Sequence, residues 1–214
     1  MSEEVWLNLG SGPIAFNGWV NIDRSPGLIL DRLPLAKKLL HRLGLLAEAQ
    51  MLPWSRTIRR IDIVKGLPFP ARSVDAIYTS HTLEHLYLAD AQRVLEECQR
   101  VLKPEGCLRV ALPDGEKWAS DLISGYSEEE HGPGLTYNLR LGSHFLTRPV
   151  GVRRLTALLS GSTHKWQPTR DMIEKLMLRA GFGQFQEHSY REGALPDLEQ
   201  VETRPESIFY EATP

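Results

Sequence analysis

Residues 5–12, VWLNLGSG, combine an apolar run over residues 5–9 with the glycine turn Gly10-Ser11-Gly12. An apolar run of this length, bounded by glycine, predicts a short buried β-strand followed by a tight turn. Glycine lets the backbone approach a ligand closely, because a Cβ at either glycine would obstruct it. The stretch predicts a ligand-binding turn at the end of a strand, and a glycine turn without a ligand stays open at this point.

Further strands alternate with helices along the chain. Strands are predicted at residues 19–22, 60–64, 74–80 and 107–112, with two closing strands near 182–190 and 207–212. A helix is predicted at residues 88–102, where apolar residues recur at three- and four-residue steps. A second is predicted at residues 169–180, between Pro168-Thr169 and Gly181. This alternation predicts an α/β fold with a parallel sheet and right-handed crossovers.

Two acidic residues lie at or near the ends of predicted strands. Asp23 closes the second strand beside the glycine turn, where a carboxylate can accept both hydroxyls of a ribose. Asp62 lies in the third predicted strand and is followed by Ile63, so that the carboxylate could reach an adenine amino group while the apolar side chain lies against the ring. With the glycine turn, these features describe an adenosine site at the carboxyl ends of the strands.

Four longer runs resemble one enzyme family. They are LNLGSG (7–12), GWVNID (18–23), GLPFPARSVDAIYTSHTLEHL (66–86) and RVLKPEGCLRVALPD (100–114). Together they closely resemble class I S-adenosylmethionine-dependent methyltransferases of the methyltransferase type 11 group. HKW (164–166), MIEKLMLRAGF (172–182) and SIFYEA (207–212) resemble the tail of a subgroup found in bacterial surface-glycan biosynthesis. The resemblance implies a Rossmann-like, seven-stranded, mainly parallel sheet with helices on both faces and an antiparallel final strand.

The resemblance also implies a cofactor site for S-adenosyl-L-methionine. Its expected residues are Asn8, Gly10, Ser11 and Gly12 at the first strand, Asp23 for the ribose, Asp62 and Ile63 for the adenine, and Ser80 and His81 facing the methyl group. Many relatives have an acidic residue at the position of Asn8. An amide there still forms hydrogen bonds but loses the charge attraction to the cationic parts of the cofactor.

A competing motif overlaps this site. His81-Thr82-Leu83-Glu84-His85 matches H-x-x-E-H, an inverted zinc-protease pattern in which two histidines share a metal. The motif directly follows a predicted strand and lies between two cofactor motifs, which favours methyl transfer without a metal. A zinc hydrolase and a non-catalytic Rossmann-like nucleotide-binding protein are the alternatives.

Histidines are the candidate catalytic residues. Methyl transfer from a sulfonium depends mainly on in-line geometry, and an alcohol acceptor also needs a nearby base. His81 is placed best, at the end of the fourth strand, and His144 and His164 come next, in a segment at about 115–167 that should cover the substrate. Because this segment is rich in aromatic and hydrogen-bonding side chains, the preferred acceptor is a hydroxyl of a saccharide or another small molecule. A lipid-linked precursor stays open.

The bulk composition fits a single domain over residues 1–214. The net charge of −2 gives no reason to expect nucleic acid as a partner. The acidic start does not resemble a signal peptide, and no stretch approaches the ~20 apolar residues of a membrane span. A cytoplasmic enzyme is expected, with two cysteines that form no disulfide framework.

A basic helical insertion is predicted at about residues 31–59. Between Arg32 and Arg60 there are seven Lys/Arg residues and one acid, Glu48. A helix at 33–47 would have an apolar face opposite its cations. The apolar face comprises Ala36, Leu39, Leu40, Leu43, Leu46 and Ala47, and the cations are Lys37, Lys38 and Arg42. Such a helix could contact an anionic membrane surface, cover the active site, or simply pack on the sheet edge.

Overall fold

The computed structural model describes residues 4–46, 48–126, 132–141 and 164–214. Its sheet contains β1 Trp6–Leu9, β2 Val20–Asp23, β3 Arg59–Arg60, β4 Val74–Ser80, β5 Leu102–Pro113, β6 Gln184–His188 and β7 Ser207–Thr213. The α-helices of the described residues are α1 Pro26–Asp31, α2 Pro34–Arg42, α3 Leu88–Val101, α4 Gly115–Ser124, α5 Pro133–Arg140, α6 Arg170–Ala180 and α7 Leu198–Val201. Single 3-10 turns lie at Glu48–Met51, Ile63–Lys65 and Leu83–His85.

The strand order is β3-β2-β1-β4-β5-β7-β6. Strands β1 to β5 run parallel, and β7 is antiparallel to both β5 and β6. This confirms the predicted Rossmann-like fold with its antiparallel final strand. The order reverses between β1 and β4, and ligands of open α/β sheets bind at the carboxyl ends of the strands at such a switch point.

The core lies on both faces of the sheet, as alternating strand residues require. Ile77 and Val110 face the larger core, which α3 and α6 cover, whereas Tyr78 and Ala111 face a smaller core that includes Leu198 of α7. Within the described residues, no helix combines the length and apolar character needed to cross a membrane.

Helices α3 and α6 agree with the sequence-based predictions to within one residue at each end. Thr169 caps α6 by accepting a hydrogen bond from the backbone N–H of Met172 at 3.4 Å. Gly181 ends the helix in the left-handed conformation, with φ +90°. Both ends therefore follow the ordinary chemistry of helix capping.

The prediction of a five-residue third strand at 60–64 is wrong. Strand β3 contains only Arg59 and Arg60, and a 3-10 turn begins at Ile63. The Asp62 carboxylate accepts a hydrogen bond from the Val64 backbone N–H at 3.3 Å, which stabilises the turn in place of a longer strand. Ile63 is 5% exposed and packs into the larger core.

The structure differs from the sequence-based interpretation of the basic helix at Lys37, which was expected among the outward-facing cations. Lys37 is only 5% exposed, whereas Leu39 and Leu43 are 57% and 63% exposed. Its Nζ atom donates to the Asp31 carboxylate at 2.8 Å and to the Leu52 carbonyl at 2.9 Å. A buried ammonium needs such partners, and Asp31 provides the opposite charge. The helix therefore turns Lys37 inward and leaves Leu35, Leu39 and Leu43 in solvent.

Candidate active site

The glycine turn joins the carboxyl ends of β1 and β2. Gly10 and Gly12 have φ values of +74° and +62°, a region that favours glycine. The backbone N–H groups of Gly10 and Ser11 donate to the Ile22 carbonyl at 2.8 and 3.1 Å. The Gly12 N–H donates to the Asp23 carboxylate at 2.9 Å. The turn is thus held against the end of the second strand.

The two glycines have different surroundings. A Cβ at Gly10 would overlap the Thr82 side chain, which follows β4. A Cβ at Gly12 would meet none of the described atoms within 4 Å. Gly10 therefore allows close packing between β1 and the segment after β4, whereas Gly12 borders open space that a ligand could fill.

Asp23 is 8% exposed, and each of its carboxylate oxygens accepts a hydrogen bond from a backbone N–H group. One accepts from Gly12 and the other from the Ser25 N–H at 2.6 Å. A carboxylate oxygen has two lone-pair sites, so that Asp23 retains capacity for ribose hydroxyls. Its role as a ribose ligand stays a prediction that these contacts fit.

Asn8 lies in β1 and is 2% exposed. Its amide donates to Asn21 Oδ1 at 3.0 Å, and the Asn21 amide in turn donates to the Phe16 and Trp19 carbonyls, both at 2.9 Å. This network orders the loop between β1 and β2. A direct contact of Asn8 with the cofactor stays a prediction.

Asp62 lies two residues beyond β3 and accepts a hydrogen bond from Arg24 at 2.7 Å. The exposed Arg24 and the partly exposed Asp62 thereby link the segments after β2 and β3. The burial of Ile63 leaves little of its side chain for an adenine ring. The adenine roles of Asp62 and Ile63 stay predictions.

His81 follows Ser80 at the end of β4 with φ +47°. Its backbone N–H donates to the Ala111 carbonyl at 3.0 Å, and its ring Nε2 lies 2.8 Å from Ser207 Oγ. Burial, together with the nearby positive charge of Arg204, lowers the pKa of His81 to about 3. The imidazole is therefore neutral at physiological pH, and both Ser80 and His81 remain candidates for the neighbourhood of the methyl group.

Glu84 lies at the centre of a histidine cluster. Its side chain is 0% exposed, and its Oε1 lies 3.5 Å from His81 Nδ1 and 4.0 Å from His164 Nε2. The rings of His85 and His164 meet edge to face, with their centroids 4.9 Å apart. Neither Glu84 carboxylate oxygen has a hydrogen-bond partner among the described residues. Burial raises the pKa of Glu84 to about 8.

A short segment holds His164 in this cluster. The Lys165 N–H donates to the Glu84 carbonyl at 2.7 Å, and Trp166 Nε1 donates to the Leu83 carbonyl at 3.2 Å. The Trp118 ring of α4 stacks on the His164 ring, with centroids 6.1 Å apart and planes 8° apart. The end of the predicted covering segment is thus fixed over the turn after β4.

The sequence-based candidates are only partly brought together. His81 and His164 both approach Glu84, whereas His144 lies outside the described residues. The described parts of the 115–167 segment are α4, α5 and the residues from 164 onward. Arg140 of α5 pairs with Asp121 of α4 at 3.0 Å. Sequence reasoning gave Trp118 no role, and it named Glu84 only as part of the H-x-x-E-H motif of the zinc-hydrolase alternative.

Comparison with known families matches residues 18–110 to the model of a methyltransferase domain. The matched residues run from the loop before β2 into β5, and therefore include Asp23, Asp62, His81 and Glu84. The chain is an S-adenosylmethionine-dependent methyltransferase. Its cofactor is S-adenosylmethionine, as the resemblance in the sequence implied. No curated protein sequence matches the chain.

Solved structures show the same fold as this methyltransferase. The PH0226 protein of Pyrococcus horikoshii has a TM-score of 0.52 and 15% identity, over 100% of this chain and 82% of its own. An S-adenosylmethionine-dependent methyltransferase of Mesorhizobium loti has a TM-score of 0.51 and 16% identity, over 99% of this chain and 91% of its own. At such low identities the similarity establishes the fold alone.

Proposed function

We propose that this methyltransferase methylates a hydroxyl of a saccharide or other small acceptor. The observation that carries the proposal is the buried cluster of Glu84 with His81 and His164 at the carboxyl end of β4. An alcohol holds its proton tightly and is a weak nucleophile, so its methylation benefits from groups that remove the proton. A cluster of histidines and a carboxylate is suited to that task.

The glycine turn and Asp23 fit the cofactor that this reaction needs. Gly12 borders open space, and Asp23 has lone pairs for hydroxyl groups beside it. S-adenosylmethionine supplies the methyl group as a sulfonium when it is bound. In the transfer, the acceptor oxygen would form the new C–O bond as the S–CH3 bond breaks, its proton would pass to a histidine of the cluster, and the sulfur would keep the electron pair as a neutral thioether.

His164 is the described histidine that would take the acceptor's proton, because burial lowers the pKa of His81 to about 3 and makes that imidazole a weak base. Trp118 and Trp166 lie next to His164 and offer flat apolar faces with a polar edge, which suit a sugar ring. His144 stays a further candidate.

The cellular setting is part of the same proposal. The thiols of Cys98 and Cys107 are both free, which is typical of a reducing compartment and supports a cytoplasmic location. A cytoplasmic methyltransferase of this kind would act on a glycan precursor, in line with the resemblance to enzymes of surface-glycan biosynthesis. Nucleic acid is not among the proposed partners.

A transfer assay tests the proposed acceptor. The full chain is incubated with S-adenosylmethionine carrying a tritiated methyl group and with a panel of neutral sugars, uronic acids and amino sugars. We expect label in sugars that resists mild alkali, because a methyl ether survives it whereas a methyl ester is cleaved. His164→Gln should reduce the transfer, and His41→Gln, in α2, is the matched control. Transfer only to carboxylates, amines or thiols would overturn the proposal.

A further inference from the structure

We infer that Glu84, His85 and His164 bind a divalent metal ion beside the proposed acceptor site. One ligand atom from each side chain lies within 4.8 Å of the other two. His164 comes from a part of the chain far from the motif, and the fold brings it to the turn after β4. This inference replaces the sequence-based expectation of a site without metal.

The Glu84 carboxyl group is fully buried, and its oxygens have no hydrogen-bond partner among the described residues. The nearest histidine nitrogens lie 3.5 and 4.0 Å away, beyond the usual range for a hydrogen bond. A buried polar group without a hydrogen bond is costly, and a bound cation would supply the missing contact.

The three side chains lie close to the spacing of metal ligands. A tetrahedral ion with ligand bonds of about 2.1 Å places its ligand atoms roughly 3.4 Å apart. Side-chain movements on the order of 1 Å would bring Glu84, His85 and His164 from their present separation to that distance. Two imidazole nitrogens and one carboxylate oxygen are ligands that suit Zn²⁺, Mn²⁺, Co²⁺ or Fe²⁺ better than Ca²⁺.

The ligand set leaves coordination positions for a substrate, as in catalytic rather than structural metal sites. When bound, the ion would supply Lewis-acid activation that lowers the pKa of a nearby hydroxyl. This part of the inference rests on the proposed function, and it assigns activation of the hydroxyl to the ion instead of to proton transfer to His164. The acceptor releases its proton to solvent, its oxygen bonds to the methyl carbon, and the thioether leaves as before.

Metal binding is measured on the full chain without cofactor or acceptor. Protein stripped with chelator is titrated with Co²⁺, whose visible absorption reports histidine coordination, and with Zn²⁺ and Mn²⁺ by calorimetry. We expect one ion per chain, and binding weakened at least about tenfold in Glu84→Gln and in His164→Gln. His41→Gln should bind as the wild type does. Circular dichroism and melting temperatures of the stripped proteins show whether each variant is folded.

The outcomes separate this inference from the proposed function. No stoichiometric binding by folded wild type, or equal binding by the Glu84 and His164 variants, would overturn the metal site. Transfer to a sugar hydroxyl that is indifferent to chelator would do the same and leave the proposed function standing. Metal binding without transfer to any hydroxyl would support the site and refute the proposed acceptor.

A second inference rests on the exposed leucines of α2. Leu35, Leu39 and Leu43 are 84%, 57% and 63% exposed, and we call them the leucine face. The exposed cations Lys38 and Arg42 lie on the same helix. We propose that the leucine face docks on an anionic lipid surface, with its apolar side chains in the interface and its cations near the headgroups.

Charge favours a lipid surface over a second copy of the chain. Six of the seven Lys/Arg residues from Arg32 to Arg60 are exposed, Lys37 being paired with Asp31, and Glu48 is the one acid of that segment. A symmetric dimer through this face would bring the same cations together, and like charges in contact are unfavourable. An anionic bilayer supplies the opposite charge instead.

Co-sedimentation with vesicles tests the docking. The wild type should bind vesicles of phosphatidylcholine that contain roughly 30–40% phosphatidylglycerol, because these have an anionic surface. It should bind less in high salt, and less to pure phosphatidylcholine. Lys38→Glu with Arg42→Glu, and separately Leu39→Ser, should abolish binding. Arg93→Glu, on the exposed side of α3, is the matched control. Lack of binding by the wild type in low salt overturns the proposal, and so does concentration-dependent dimerisation that the leucine variants remove.

Discussion

The Asp23 carboxylate accepts a hydrogen bond from the Gly12 N–H at 2.9 Å, across the carboxyl ends of the two neighbouring strands β1 and β2. The same carboxylate accepts from the Ser25 N–H. A single side chain therefore orders both segments that border the proposed ribose position. Loss of this carboxylate would disturb the turn and remove ribose contacts together.

Asp23→Ala should weaken binding of S-adenosylhomocysteine by about 1.5–3 kcal/mol, because hydrogen bonds to a charged group are lost. Calorimetry on the wild type should show saturable, micromolar binding, at about −7 to −8 kcal/mol. Asp90→Ala, in the first turn of α3, controls for the loss of one acidic residue. Equal affinities for wild type and Asp23→Ala, with both proteins folded, would remove Asp23 from the cofactor site.

The two glycines of the turn should respond differently to alanine. Gly10→Ala meets Thr82 and also has an unfavourable φ, so that we expect a loss of about 2 kcal/mol or more in the free energy of unfolding. Gly12→Ala has room for its Cβ and should lose only about 1 kcal/mol, from φ alone. The larger effect of Gly12→Ala should be on cofactor affinity, since the alanine side chain projects into the open space beside the turn. Urea unfolding and calorimetry on both variants measure the two effects, and stability losses in the reverse order would contradict the assignment.

Local pattern accounts for what could be predicted from the sequence. Strand β4 has the predicted bounds because its mainly apolar centre, Ala76–Tyr78, is buried, as is typical of a central strand. Helix α3 was predicted from its three- and four-residue periodicity, and α6 from Thr169 and Gly181 at its ends. The glycine turn and Asp23 were predicted as neighbours, because the ends of adjacent parallel strands meet at one edge of the sheet.

Contacts between distant residues explain what the sequence could not show. Lys37 turns inward because Asp31 and the Leu52 carbonyl receive it, and an apolar pattern along one helix does not contain that information. His164 reaches Glu84 only because the Lys165 and Trp166 hydrogen bonds hold its segment over the turn. A third ligand that comes from elsewhere in the chain is invisible in the H-x-x-E-H motif itself.

Acid should weaken the contact that holds the loop before β4. Glu97 accepts hydrogen bonds from Arg100 at 2.7 Å and from the Leu67 N–H at 2.8 Å, and the Arg100 guanidinium holds the pKa of the Glu97 carboxyl below its usual value. A lowered folded pKa stabilises the protein above the unfolded value of about 4.3 and loses that effect as the pH falls through the folded pKa. Glu97→Gln should therefore lower the free energy of unfolding by about 1 kcal/mol near pH 7.

The pH profile of this variant is the measurement. The difference in melting temperature between wild type and Glu97→Gln should be constant from about pH 7 to 5 and shrink below about pH 4. Glu96→Gln, on the exposed side of α3, controls for the change in net charge. A difference that grows on acidification would show that the sign of the linkage is wrong.

Arg109 lies fully buried in β5. It donates to the Glu202 carboxylate at 2.7 Å and to the carbonyls of Glu192 and Ser189 at 2.8 and 3.0 Å. Glu202 is also fully buried, so removal of either partner leaves an uncompensated charge in the interior. Glu202→Ala should therefore lower the free energy of unfolding by about 3–5 kcal/mol.

Replacement of both partners separates the cost of a lone charge from the value of the pair. Arg109→Met combined with Glu202→Leu should be less destabilised than Glu202→Ala, because the Arg109 charge is removed with its partner and the Glu211 carboxylate keeps the hydrogen bonds from the Ala194 and Leu195 N–H groups. The exposed pair Arg93–Asp90 is the control, and Asp90→Ala should change stability by less than about 1 kcal/mol. Urea unfolding of all four proteins measures these differences. A Glu202→Ala midpoint close to that of the wild type would mean that Arg109 finds other partners, with Glu211 at 3.4 Å as the nearest carboxylate.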